Sequence, residues 1–448
     1  MGRVRVDAED RFIWRRFRRN HSVSLVGALL SLAIKSGQTL LLTHALPLED
    51  YGRVLIVLNL FAFLNTFIGL RVGDLMFRFF PELKEGGEER ALQGLLLFCL
   101  GLSLATGLLI LCGVLVLSPW LAGSLYRSPE LAALFVIYGC TVPFSLLGDV
   151  SGPILRMYDR FTSLVVPQVL GSLTTAVILV AYLATNTRYS LSVVVAAFAV
   201  GALVQTVPPL VLSLRLVRPY LTGGDVKLAA QSLARYRPGL TRCLFNSNLS
   251  GYLKMAASPG DLFLLGIFSS ASQVALYGLA KQLTAPLALL LTNAYVALAP
   301  EVTSLIAGRR LERLGRLVGG YVVSALAAGG LFTVCAMFAG RFLISRFTRP
   351  EYVESLPAFY LLLVAAWGLL IFAAFRPLAL GLDLLKWDNL AQLSGALILF
   401  CFVIAGRLDA LTLAFVQLAG ALLRLPFNVP VWMRLRALTR APGREGVP

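Results

Sequence analysis

At 448 residues the chain has the length of two or three soluble domains, but 58% hydrophobic residues, 14% charged residues and a mean hydropathy of +0.79 exclude a soluble surface. Membrane spans of about 20 apolar residues each would take up most of it, leaving no room for a large catalytic domain outside the bilayer. The net charge of +17 does not point to nucleic acid, because the basic residues fall between apolar runs and alternate from one side to the other.

Seven arginines crowd residues 1–20, so residues 1–21 are expected to form a basic cytoplasmic tail. The apolar run behind them, 22–46, is too long for a signal-peptide core and reads as a retained first helix. Charged, proline and glycine breaks predict eleven further spans at 52–70, 91–117, 130–155, 161–183, 190–214, 243–268, 272–299, 316–340, 355–382, 388–406 and 408–433. The fold class is therefore all-α, a polytopic membrane protein of about twelve transmembrane helices. Residues 22–214 would form an N-terminal six-helix bundle and 243–433 a C-terminal one, with a cytoplasmic tail at 434–448. In the linker 215–242, Leu228, Ala229, Leu233 and Tyr236 make one apolar face beside Lys227, Arg235 and Arg237, as expected of an amphipathic helix lying along the inner leaflet.

An even number of spans puts both termini on one side. With the N-terminus cytoplasmic, 28 lysines and arginines lie inside against seven outside, a firm positive-inside asymmetry. The halves also resemble each other. Tyr51-Gly52 returns as Tyr277-Gly278, Pro81-Glu82 as Pro300-Glu301, Pro129-Glu130 as Pro350-Glu351 and Tyr158-Asp159 as Trp387-Asp388, at offsets of 219 to 229 residues. Six helices return the chain to its starting side, so the repeats are parallel.

Five basic residues fall inside predicted spans: Lys35, Lys254, Lys281, Arg376 and Arg424. Each costs about 2.5–3.5 kcal/mol at mid-bilayer unless it faces water or a partner. Arg376 is near a helix end and can snorkel. The others sit on polar stripes at helical spacing: Ser24, Ser31, Lys35 and Gln38 in helix 1; Asn246, Ser250, Lys254, Ser258 and Asp261 in helix 7; Lys281 with Thr284 and Tyr295 in helix 8; Gln417, Arg424 and Asn428 in helix 12. The serines are ordinary helix-packing residues. The cations, with Asp261 as the one obvious deep carboxylate, suggest a basic cavity on the axis between the halves. Lys35, Gln38, Lys254, Lys281 and Arg424 are its candidate substrate-binding residues. Asp261, which follows a possible helix break at Pro259-Gly260, is the candidate for coupling or gating. A fixed neutralising pair of Asp261 with Lys254 or Lys281 is the plainer alternative.

No G-x-x-x-x-G-K-[ST] motif occurs, and only His21 and His44 are present, so neither ATP hydrolysis nor a histidine-rich metal site is expected. The six cysteines lie in or beside apolar runs without C-x-x-C spacing and read as packing residues. No catalytic residue, metal or cofactor is predicted; H+ or Na+ is a candidate coupling ion.

The segments T-H-A-L-P-L-E-D-Y-G (Thr43 to Gly52), G-L-R-V-G-D-L-M-F-R-F-F-P-E-L (Gly69 to Leu83) and D-L-F-L-L-G-I-F-S-S-A-S-Q-V-A-L-Y-G-L-A-K-Q-L (Asp261 to Leu283) resemble the polysaccharide-transporter family. Its members are O-antigen and lipid-linked oligosaccharide flippases of the multidrug/oligosaccharidyl-lipid/polysaccharide exporter superfamily. Lys281 resembles the basic cavity residue of lipid II flippases. Where relatives have Arg-x-Leu-Gly before the Tyr-Gly pair, this chain has His44-Ala45-Leu46-Pro47. The resemblance implies two six-helix bundles in a V, working by alternating access in the bacterial inner membrane as a monomer. It also implies a polyprenyl-pyrophosphate oligosaccharide as cargo, membrane lipids as surroundings, no nucleic acid, and polysaccharide polymerase and chain-length machinery as partners in lipopolysaccharide assembly. An ion-coupled multidrug exporter of the same fold is the first alternative, disfavoured by Lys35 in place of a carboxylate. A membrane-embedded oligosaccharide polymerase or ligase is the second, disfavoured by the lack of a large outer loop.

Overall fold

The computed structural model describes residues 2–185, 189–221, 225–255, 260–307, 310–381, 384–406 and 408–440. It is all-α, with no strand among the described residues. The chain packs as two units, Met1–Gln38 with Val57–Tyr252, and Thr39–Ile56 with Leu253–Pro448. The division thus differs from the expected one. It cuts helices 1 and 2 part-way along their length, and it falls inside the first piece of helix 7.

In the first unit, α1 (Gly2–Ala45) begins in the basic tail. No glycine or proline stands between Arg3 and Val26, so nothing separates that tail from the first span. A 45° bend divides α2 (Leu48–Phe67) from α3 (Val72–Glu85). Residues 71–90, expected as an inside loop, are therefore mostly helix. Val72, Leu75, Met76, Phe79, Phe80 and Leu83 recur at steps of three and one and are buried along one face, while Asp74, Arg78, Glu82 and Lys84 had given the segment the look of a loop. The face packs on α4 (Glu89–Trp120). The expected 130–155 span is present at Leu131–Met157, made of α5 (Leu131–Gly139) and α6 (Val142–Met157) with a turn at Cys140-Thr141 just before Pro143.

The pair α7 (Thr162–Thr185) and α8 (Leu191–Leu221) shows how close the backbones come. A Cβ on Gly171 would lie 2.5 Å from the Gly201 carbonyl oxygen, and Thr175 donates both to Gly171 O in its own helix and to Ala197 O across the contact, at 3.2 and 3.3 Å. Small residues of this kind let spans associate where apolar burial alone gives no preference over lipid. The expected linker is not a separate region: α8 runs on to Leu221, α9 (Val226–Ala234) follows, and α10 (Arg237–Met255) leads into helix 7.

The second unit holds α11 (Gly260–Phe268), α12 (Ala271–Ala307), α13 (Leu311–Phe347), α14 (Leu356–Ile371), α15 (Phe375–Gly381), α16 (Leu385–Ile404) and α17 (Ala410–Arg440). Residues 39–56 belong here because of specific bonds at the end of α1. Arg349 donates its backbone N–H to Thr43 O and its guanidinium to His44 O and Ala45 O, at 3.3, 3.2 and 2.7 Å. These are carbonyls that a helix C-terminus leaves unsatisfied. The Tyr352 hydroxyl adds Leu46 O at 3.3 Å. A Cβ on Gly52 would run into the Ala271 carbonyl oxygen, and one on Gly278 into Leu55, so the two Tyr-Gly pairs of the repeat meet each other's helices.

Nine helices among the described residues are long and apolar enough to cross a membrane, or ten if the bent α2–α3 pair counts as one span. The expected helix 7 is divided between α10 and α11, and the apolar stretch of α16 is short. Large apolar side chains face outward, among them Val116, Leu331 and Phe338. Such a surface is stable only against hydrocarbon, so the chain is a multi-pass membrane protein.

Candidate functional site

The second unit contains a buried polar cluster built from three helices. Asp261, in the first turn of α11, is only 1% exposed. Its Oδ1 accepts the Leu262 N–H at 2.7 Å and Oδ2 accepts the Tyr277 hydroxyl at 3.0 Å. Lys281 Nζ donates to both oxygens, at 2.8 and 2.6 Å. Tyr277 and Lys281 lie one turn apart on α12, so one helical face presents both donors to the acid. Gln417 of α17 completes the cluster through a side-chain hydrogen bond with Tyr277.

The pairing is unequal. The Lys281 side chain is 31% exposed whereas that of Asp261 is 1% exposed. The carboxylate is thus fully withdrawn from water, and it is held by a hydroxyl, an amide and an ammonium. The lysine side chain stays partly exposed. The cluster joins two predicted site residues, Asp261 and Lys281, with Gln417 from the helix-12 stripe. Arg424 is half-buried on α17, two turns beyond Gln417. The side chain of Lys254, and the Pro259 of the expected break, lie outside the described residues; α10 ends at Met255 and α11 starts at Gly260.

Lys35 and Gln38 are in the first unit. Lys35 is exposed and has no charged or hydrogen-bonding partner among the described residues. Gln38 is 5% exposed and donates its side-chain amide to the Ser172 carbonyl of α7, a helix-packing bond. Ser31, one turn from Lys35, is buried, and its hydroxyl has no hydrogen-bond partner among the described residues.

A second polar group escaped the sequence reading. At the α2–α3 bend the Arg71 guanidinium pairs with Asp74 at 3.3 Å, and the Arg71 backbone N–H donates to Asn248 Oδ1 at 3.4 Å. Asp149 of α6 lies within electrostatic range of Arg71 and Asp74. Its signal was present, a carboxylate between Gly148 and Val150 in an apolar run. Among the described residues no three metal-ligating side chains come together.

Residues 17–306 match the family model described as polysaccharide biosynthesis protein. No curated protein matches the sequence. Among solved structures, the chain is similar to an inward-facing multidrug resistance MATE family transporter of the MOP superfamily, at 16% identity over 92% of this chain and 96% of that one, with a TM-score of 0.67. It is also similar to the lipid II flippase MurJ in an inward closed conformation (14%, 94% and 93%, 0.61). A MOP superfamily transporter from Pyrococcus furiosus, whose binding pocket is described as reversed in polarity, matches at 16% identity over 94% and 96%, with a TM-score of 0.58. At such identities the likeness is one of fold.

Proposed function

Because the chain belongs to the polysaccharide biosynthesis protein family, we propose that it is a flippase. Its cargo is a polyprenyl-pyrophosphate-linked oligosaccharide, carried from the cytoplasmic to the outer leaflet by alternating access. The observation that carries this reading is Lys35, a cation on an apolar span with no carboxylate to neutralise it among the described residues. A cation without a carboxylate partner attracts an anion, and a pyrophosphate is a strong one. The acid best placed to hold a cationic drug, Asp261, is already engaged by Lys281. The protein is thus a transporter and no enzyme. It works in the bacterial inner membrane with both termini cytoplasmic, as a monomer, upstream of polymerase and chain-length machinery.

In this reading Asp261–Lys281 is the coupling or gating element, with H+ or Na+ as the coupling ion, and Lys35, Lys254, Lys281 and Arg424 serve the phosphates. The test is reconstitution in vesicles with a polyprenyl-pyrophosphate oligosaccharide, following its exposure on the far leaflet by lectin binding. Lys35→Gln should slow exposure at unchanged protein content. Full activity of the Lys35→Gln/Lys281→Gln double variant, or transport of a cationic dye in preference to the glycolipid, would overturn the proposal.

A further inference from the structure

The first unit carries an apolar groove of about 550 Å3 between the start of α4, α9 and the first turns of α10. Its wall is made by Leu97, Phe98, Ala230 and Leu244, and its polar lining comes from Arg237 and Thr241. The groove exists because α9 sits directly on α4: a Cβ on Gly94 would lie 2.5 Å from the Ala229 carbonyl oxygen. On that side Ala229 and Leu233 are buried, while Val226, Leu228 and Phe98 stay exposed. α4 begins at Glu89, so Leu97 and Phe98 lie about two turns inside the polar end of its span.

We propose that this groove is a binding site for one anionic glycerophospholipid of the bilayer, with an acyl chain along the apolar wall and its phosphate at Arg237. The volume is that of a small-molecule site, roughly 300–1,000 Å3. An apolar hollow of that size beside hydrocarbon is filled by a chain, since water gains no hydrogen bonds there. The charge around it selects the head group. Lys227, Arg235 and Arg242 are exposed on the same two helices and the turn between them, and Asp225 is the one acid in residues 215–242. The Asp225 side chain is occupied in capping α9, where it accepts the Lys227 N–H at 2.9 Å. The nearby Glu88 is held by the Tyr236 hydroxyl at 2.7 Å. A guanidinium at the mouth of an apolar groove gives a phosphate two parallel donors, and basic pockets at the ends of spans bind anionic head groups on this principle. The inference lies within one unit and does not depend on what cargo is carried.

The test uses the full chain in phosphatidylcholine vesicles containing either phosphatidylglycerol or phosphatidylcholine with a photoreactive acyl chain, and maps the labelled peptides by mass spectrometry. Phosphatidylglycerol should label the peptides around Leu97 and Leu244 in preference to other spans. Arg237→Gln should lower that labelling about fivefold, the loss expected for one basic contact, and leave labelling by phosphatidylcholine unchanged. Ala230→Trp should lower labelling by either lipid, and Leu244→Trp replaces it if Ala230→Trp fails to fold. Inorganic phosphate should not compete. Equal labelling by both lipids, or no effect of Arg237→Gln, would mean an ordinary annular lipid and overturn the proposal. Displacement of the label by a polyprenyl phosphate more readily than by phosphatidylglycerol would overturn it as well.

Discussion

The unequal burial of Asp261 and Lys281 predicts that the two halves of the pair are not equally dispensable. Lys281→Gln leaves a carboxylate that is 1% exposed with a hydroxyl and an amide as its only compensation among the contacts described above. Asp261→Asn leaves a lysine whose side chain is 31% exposed. Breaking a buried pair costs about 3–5 kcal/mol when the survivor is sealed off, and less when it reaches water. Lys281→Gln should therefore lower the melting temperature in detergent more than Asp261→Asn, and adding Asp261→Asn to Lys281→Gln should recover part of the loss. Lys281→Arg, which keeps the charge, should be milder than Lys281→Gln. Lys35 is the contrasting case. It is exposed and without a partner among the described residues, so Lys35→Gln should leave the stability within about 0.5 kcal/mol of the parent, with any defect confined to transport. Sequence spacing alone made Lys35 and Gln38 look alike, because a helical stripe gives the side of a helix and not what packs there. The Ser172 carbonyl that turns Gln38 into a packing residue is 134 positions away.

Between helices, contact depends on residues too small to stand out in a hydropathy reading. A Cβ on Gly201 would run into both the Gly171 carbonyl and the Thr175 hydroxyl of α7, so Gly201→Val should force α7 and α8 apart. Overpacking of this kind costs roughly 1–3 kcal/mol. Lower thermal stability and poorer membrane accumulation are the expected readouts. Gly101, on α4, has nothing within 4 Å of where a Cβ would stand, and Gly101→Ala should change neither quantity. The same distinction explains what could be read in advance. Long apolar runs such as Leu191–Leu221 and Thr162–Thr185 were legible because a span must be about 20 residues of low polarity whatever surrounds it. The α3 helix was not, since its buried face alternates with Asp74, Arg78 and Glu82, and its packing on α4 and α6 is what stabilises it. The pause at Cys140-Thr141 was likewise hidden inside one continuous apolar run, although Pro143 was a fair marker for it.

At the scale of the whole molecule, the basic residues make the sharpest prediction. Counted over the expected loops and tails, 28 lysines and arginines fall on one side and seven on the other. Such a bias sets orientation because loops rich in Lys and Arg are retained on the cytoplasmic side. Reassigning residues 72–85 to a helix leaves the bias intact, because α3 continues the bent span with its charges on the open face. The break between α5 and α6 preserves it too, since a turn inside a span does not return the chain to the other side. Reporter fusions after Lys227 and after Arg440 should accordingly both read cytoplasmic, and one near Arg349 should read external. The Lys227 site is the most informative of the three. It lies in α9, beside the groove assigned to an anionic lipid and before the chain enters the second unit. An external reading there would place Arg237 in the outer leaflet, and would mean either that the first unit is inverted with its six crossings kept, or, with a cytoplasmic N-terminus, that an odd number of crossings precedes residue 227.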